Sequence, residues 1–352
     1  MFDSTRLLSL GCSLLTGAVL AAQAAHAQVS NLDPALLAAA NKEGTVNLYT
    51  TQDPAATKKT LEAFHKAYPG ISVRSLRPGG SGVLLARFMQ ETNAGVHQAD
   101  IIQANITQIY SDMPALYKPM TAELVPTLPT IPQKYVKERY FTTTETPMTF
   151  AYNKNSLKGD EVPRAWKDVL NPKLKGRGLL ADPRNTDNFM YLLDVWAKTY
   201  GDDFLVKLKA QQYRMVAGGS QGAQEVAAGG AGPAFITNLF TTHSAPVIAR
   251  GAPLVTVRDI FTNSGMPALA NYGHWAITEK APHPAAARVF LAWLITPEGQ
   301  QANCVEGANS SLLLNDQNRG KCLPAITTAV QPVDAPFPAD RKAHLLGLLG
   351  LQ

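Results

Sequence analysis

The chain has 352 residues, enough for two lobes with separate cores. Lys and Arg number 32 against 27 Asp and Glu, a formal net charge of +5. The basic residues are dispersed rather than gathered in a stripe, which argues against a nucleic-acid surface; a mild positive field suits a small anionic solute.

Arg6 precedes an apolar run from Leu7 to Ala22, and Ala25-His26-Ala27 has the small-x-small form of a signal-peptidase site. Cleavage is expected before Gln28, so residues 1–27 read as a signal peptide and the mature protein as soluble in the periplasm. The run is too short and too poorly flanked for a membrane anchor. Leu10-Gly11-Cys12 is a weak lipoprotein match, because Ser9 is polar where an aliphatic residue is wanted. Of the three cysteines, Cys12 leaves with the signal. Cys304 and Cys322 then read as one disulfide in an oxidising compartment. It closes a loop of about 18 residues and stabilises by roughly 3 kcal/mol. The seven histidines are scattered, with none at ligand spacing from either cysteine, so neither metal nor other cofactor is expected.

Thr45 to Thr50 alternates like a strand. Thr51-Gln52-Asp53-Pro54 ends it and caps a helix running through Leu61 and Phe64 to Tyr68. Ile71 to Arg74 is a second strand. Arg77-Pro78-Gly79-Gly80-Ser81-Gly82 then breaks the chain before apolar residues at helical spacing, Leu84, Leu85, Phe88 and Met89. Gly80 and Ser81 are placed at a helix start, where unpaired amides and the helix dipole form a small anion site; a plain serine cap is the alternative. Ala99 to Gln103 is a buried-type strand, and Asn105-Ile106-Thr107 opens the next helix. This β-α-β-α-β-α rhythm predicts a parallel sheet with helices on both faces. The loops after its strand ends gather in one crevice, which brings Thr51, Gln52, Asp53, Gly80, Ser81 and Asn105 together.

Residues 114 to 140 are proline-rich and irregular. Met148 to Asn153 is strand-like, and the chain reads as crossing between lobes near Thr146 to Asn153. A second set of units follows: strand Gly178 to Ala181, a loop with Arg184 and Asn185, and a helix with Phe189, Leu192, Leu193 and Trp196 at helical spacing. Strand Tyr213 to Val216 leads to Gly218-Gly219-Ser220-Gln221-Gly222 at a helix start, and a strand ends at Thr237 and Asn238. Gly273 to Thr278 reads as a strand returning to the first lobe, with Tyr272 and Trp275 as pocket walls or core. The expected lobes are 28–147 and 148–264, with 265–352 returning to lobe 1 and ending in helices. Two crossings make a two-strand hinge, and facing crevices make a clamp that closes on a ligand.

The order and spacing of several stretches resemble the periplasmic solute-binding proteins of ABC importers, in particular the branch with ferric-iron binding proteins. The stretches are Val46 to Asp53, Phe64 to Ile71, Ala99 to Ile102, Phe150 to Lys154, Ala281 to Ala287 and Thr296 to Gln300. The resemblance covers nearly the whole mature chain. It implies a type II two-lobe α/β fold, no catalysis, and a monomer that hands its ligand to an inner-membrane permease. The iron-binding members use a ligand after the first strand, a carboxylate after the third and adjacent tyrosines in the second lobe. Here these positions fall at Asp53, near Asn105 and at Leu239-Phe240, and the arginine that holds the companion anion is replaced near Thr146. The ligand set therefore departs from ferric iron, which wants phenolates. A phosphonate, sugar phosphate or carboxylate suits the two glycine-serine helix starts better, with ferric iron as the alternative. From another class, Gly218-Gly219-Ser220-Gln221-Gly222 matches the G-x-S-x-G elbow of serine hydrolases, with Asp259 and then His274 or His283 in the required order.

Overall fold

The computed structural model describes residues 29, 32–185, 187–304, 308–326, 330–332 and 337–351. The expected signal peptide and Cys12 lie outside the described residues. Lobe 1 starts with α1 (Pro34–Glu43), β1 (Thr45–Thr50), α2 (Pro54–Ala67), β2 (Ser72–Leu76), α3 (Ser81–Asn93), β3 (Ile101–Ala104) and the single turn α4 (Gln108–Ser111). Short 3-10 turns fill the proline-rich stretch that follows. β4 (Phe141–Asn153) then leads into lobe 2: β5 (Gly178–Ala181), α5 (Asp187–Tyr200), α6 (Asp203–Ala210), β6 (Arg214–Val216), α7 (Gly219–Ala228), β7 (Phe235–Phe240), α8 (Thr241–Ala249), β8 (Leu254–Val257) and α9 (Ile260–Asn263). β9 (Ala268–Ile277) returns to lobe 1 for α10 (Pro284–Ile295), α11 (Pro297–Asn303) and β10 (Ser310–Ser311), before β11 (Val330–Pro332) and α12 (Ala339–Leu349).

The sheet order is β2-β1-β3-β9-β4-β7-β5-β6. β1 pairs in parallel with β2 and β3, and β5 with β6 and β7, so each lobe aims a set of strand ends at the gap between them. β4 is the common member. Its first half, Phe141 to Pro147, runs antiparallel to β9; its second half, from Met148, runs antiparallel to β7 and β8. The strand is twice as long as the sequence suggests, because Thr142 to Glu145 is polar yet buried at the junction.

Two separate cores back these sheets. In lobe 1, α10 is buried and apolar from Ala285 to Ile295 except at Arg288, which reaches out to the Glu123 and Leu124 carbonyls. Its Phe290 meets Phe64 edge-on at 4.9 Å, and Trp293 meets the same ring at 5.3 Å. The lobe 2 core centres on Trp166 and Trp196, 5.1 Å apart. Each such ring contributes about 2–3 kcal/mol on burial. The last helix packs on lobe 2. α12 packs on α5 and α6, with Leu345 and Leu349 in the lobe 2 core and Arg341 Nε 2.8 Å from Asp194 Oδ1. The chain thus crosses between lobes a third time. β4 and β9 form the expected two-strand hinge, with β10 flanking β4 and β11 flanking β9 beside it.

Candidate functional site

A polar cleft of about 270 Å³ lies between the lobes. Lobe 1 contributes Thr51, Gln52, Asp53 and Ala56 from the β1–α2 turn, Arg77 from beyond β2, and Gln103 and Asn105 from the end of β3. The neck supplies Thr144 and Thr146 from β4, Asn271, Tyr272 and Gly273 from β9, and Asn309. Lobe 2 adds Ser220 at the start of α7, with Phe240, Thr242 and His243 at the start of α8.

The lobe 1 wall is organised by the fully buried Gln103. Its Oε1 accepts from Thr50 Oγ1 at 2.6 Å and from the Thr51 amide at 3.1 Å, while its Nε2 donates to Asn105 Oδ1 at 3.3 Å. Thr51 Oγ1 also donates to Asn105 Oδ1, at 3.1 Å. With its oxygen used twice, Asn105 turns donor capacity toward the cleft. Asp53 accepts from the Ala56 amide at 3.3 Å and so caps α2. Arg77 is the cation of this wall. Its Nε donates to the Thr51 carbonyl at 3.4 Å, and it forms no ion pair among the described residues. Composition gives no hint of its role; its position directly after β2, at the strand ends, does.

The lobe 2 wall is built by a close approach. A Cβ added at Gly219 would lie 2.1 Å from His243 Nδ1 and 2.8 Å from Leu239 Cβ, so only glycine lets α7 sit against α8. His243 Nδ1 accepts the Phe240 amide at 3.2 Å, which leaves Nε2 to carry the proton of the neutral ring. Burial pushes this imidazole down to about 4, while the charge of Asp53 in the opposite lobe pulls the other way. His243 is therefore neutral at pH 7. α7 itself starts at Gly218 without a side-chain cap, leaving its first amides open beside Ser220.

The structure gathers Thr51, Gln52, Asp53, Asn105, Ser220 and Tyr272 in the cleft. The other expected site residues sit elsewhere. Gly80 caps α3 by position only, and Ser81 Oγ accepts the Asn105 amide at 3.3 Å, so this helix start supports the wall from behind and Arg77 takes its place at the surface. Arg184 is held by Asp182, with Nη2 2.8 Å from Oδ2, and Asn185 donates to the Ala217 carbonyl at 2.9 Å. Gln221 accepts the Ala217 amide at 3.1 Å and donates to Glu225 at 2.9 Å. Thr237 and Asn238 are buried within β7, where Asn238 bridges the Ala181 amide and carbonyl at 2.8 and 3.1 Å. β7 runs two residues further than expected, so its end at the cleft is Phe240. Sequence reasoning missed Arg77, Gln103, His243, Asn271 and Asn309 as lining residues. Only Arg77 carried a local signal, beside the glycine loop.

The alternative chemistries find their residues dispersed. His274 is buried against Thr142 Oγ1 at 2.9 Å and driven down to about 3 by that burial. His283 is fixed to the buried Asp100 at 2.9 Å, and Asp259 precedes α9. None of these is hydrogen-bonded to Ser220, so the triad of the alternative hydrolase reading does not assemble. At the tyrosine-pair position, Leu239 is buried in the lobe 2 core and Phe240 lines the cleft. The expected disulfide joins Cys304 and Cys322.

Two α/β lobes, strand ends facing across a small polar cleft and a shared neck define a type II solute-binding protein. The profile of the bacterial extracellular solute-binding proteins matches residues 49–301, and the chain belongs to that family. An uncharacterised protein of Haemophilus influenzae is 28% identical over 159 residues; the chain spans 44% of that curated relative's length, with 44% of its own. Among solved structures, iron-bound HitA from Pseudomonas aeruginosa superposes with a TM-score of 0.62 at 19% identity, covering 87% of this chain and 98% of its own. AfuA from Actinobacillus pleuropneumoniae, bound to fructose 6-phosphate, gives 0.60 at 20% identity, covering 88% and 99%.

Proposed function

We propose that this protein is the periplasmic substrate-binding component of an ABC importer. It captures a small anionic solute of the phosphonate, sugar phosphate or carboxylate type in the interlobe cleft and delivers it to an inner-membrane permease. The observation that carries this reading is that Arg77, a cation without an ion-pair partner among the described residues, lines the same cleft as Ser220 at the start of α7, which has no side-chain cap. An anion bridging the two meets charge from one lobe and amide donors from the other, so it binds best when the lobes close. The capped carboxylate of Asp53 suits a ligand that also carries a cationic group, such as an aminophosphonate or amino acid. The fructose 6-phosphate seen in AfuA fits the same chemistry. The protein works as a monomer, without a cofactor and without nucleic acid.

A second reading, ferric iron, is favoured by Asp53 and Tyr272 sharing the cleft and by the iron in HitA. Titration with ferric salt decides it: a phenolate-to-iron absorption band supports iron, and a colourless, unshifted protein refutes it. A thermal-shift screen over phosphonates, sugar phosphates, carboxylates and amino acids tests the main reading. No shift with any of these classes would refute it.

A further inference from the structure

We infer that the loop closed by Cys304–Cys322 belongs to the ligand-binding machinery: it sets Asn309 as a ligand contact and clamps hinge strand β4 at the neck. The inference rests on reading the cleft as the solute site.

The loop leaves lobe 1 at the end of α11. Within four residues of Cys304 it carries Ala308, whose carbonyl accepts from Thr241 Oγ1 at the start of α8, in lobe 2. The next residue is Asn309. It lines the cleft on the neck side, 5% exposed, and its carbonyl accepts the Leu323 amide at 3.0 Å, from the residue after the second cysteine. This bond ties Asn309 to the residue that follows the second cysteine of the bridge. Ser310 and Ser311 then form β10, antiparallel to β4 at Glu145 and Thr144, and the Leu312 amide donates to the Thr143 carbonyl at 2.8 Å. β4 passes from lobe 1 to lobe 2 at this point, and Thr144 itself lines the cleft.

The return arm closes the clamp. The Ile326 amide donates to the buried Glu145 carboxylate on the same strand. The Pro324 carbonyl accepts from Ser310 Oγ at 2.7 Å and from Arg258 Nη2, in lobe 2, at 2.9 Å. Ser311 Oγ donates to Gln300 Oε1 of α11 at 2.6 Å, and Gln300 is itself fully buried in lobe 1. One cross-linked loop therefore holds lobe 1, lobe 2 and the hinge strand, and one of its side chains reaches the solute. A loop that only filled the surface would need none of these bonds across the hinge.

Two measurements test this. In the ligand-free protein, Cys304→Ser/Cys322→Ser is compared with the parent by hydrogen exchange. At least tenfold faster exchange is expected at the Leu312, Leu323 and Ile326 amides and along Thr143 to Glu145, with Ile101 to Ala104 and Phe235 to Phe240 unchanged. Unchanged exchange at the neck would overturn the clamp. If the double variant does not fold, Glu145→Gln, which keeps the bridge, is expected to speed exchange at Ile326 with Gln300 protected; no change there overturns the clamp equally. Separately, Asn309→Ala and Asn309→Asp are titrated with fructose 6-phosphate and with inorganic phosphate. The alanine variant is expected to lose about three- to tenfold in affinity and the isosteric aspartate at least tenfold more, relieved by salt, with both variants still folded by circular dichroism. Wild-type affinity in both variants would overturn the contact. If the parent protein binds neither probe, the phosphate reading of the cleft fails, while the exchange measurement still decides the clamp.

Discussion

Gly219→Ala is a demanding test of how the lobe 2 wall is built. The added methyl would meet His243 Nδ1 at 2.1 Å and Leu239 Cβ at 2.8 Å, both well inside van der Waals contact. Neither neighbour yields freely. Leu239 is fully buried at its root, and the His243 ring is tied to the Phe240 amide. Relief requires α7 to move away from α8 or the imidazole to leave its bond. Overpacking of this kind costs about 1–3 kcal/mol. At about 2–4 °C per kcal/mol for a unit this size, Tm falls by roughly 2–12 °C. The shift also moves Ser220 from the cleft, so affinity for the anion drops together with stability. Differential scanning calorimetry and a titration on the same sample read both. A variant with parental Tm and affinity would refute the close-packed start of α7 as the basis of the wall.

Four further outcomes follow from the same coordinates. Arg77→Ala removes the cleft cation from an exposed position, so Tm stays put while anion affinity falls by about 10- to 150-fold, the loss of a charge-assisted hydrogen bond worth about 1.5–3 kcal/mol; isothermal titration checks this. Ser220→Glu introduces a negative charge at the uncapped helix start and abolishes anion binding without unfolding the protein, seen by thermal shift with and without ligand. His243 and His274 are held neutral, down to about 4 and about 3, against an ordinary value near 6.5. The unfolded state therefore binds more protons below pH 6.5, and stability present above that pH is lost as pH falls through 4 and 3; urea unfolding from pH 7 to pH 3 should show a shallower acid loss for His274→Gln, and an unchanged slope would count against it. Replacing both Cys304 and Cys322 by serine costs about 3 kcal/mol for a separation of 18 residues, measured by chemical denaturation.

Much of the fold was legible because the local signals agree with the global architecture. β1, β5 and α2 lie where alternation, apolar spacing and a proline start put them, and Thr51 to Asp53 and Asn105 follow from being the first residues after parallel strands. The residues that escaped notice reach the cleft by long-range pairing. Asn271 stands opposite Thr146 across the neck, and Asn309 arrives on a loop fixed by a disulfide. No pattern within a dozen residues announces such placements. His243 was hidden for a different reason: it gains its place only through the missing side chain of Gly219, one helix earlier. Thr237 and Asn238 look like loop-end ligands in sequence because polar residues seldom sit inside a strand. Asn238 does so because its amide spans both polar groups of Ala181. α12 gave no clue to its lobe, since its amphipathic face fits either core until Asp194 and Asp202 are placed to receive Arg341 and His344.

The central claim is that one small anion bridges Arg77 and the α7 start. Its most direct test is small-angle scattering paired with thermal shift across a panel of sugar phosphates, phosphonates and carboxylates. At one hundred times its dissociation constant a true ligand stabilises by about 2.7 kcal/mol, and the account expects compaction with the parent protein and neither effect with Arg77→Ala. Stabilisation that survives in Arg77→Ala, or binding without lobe closure, would contradict it.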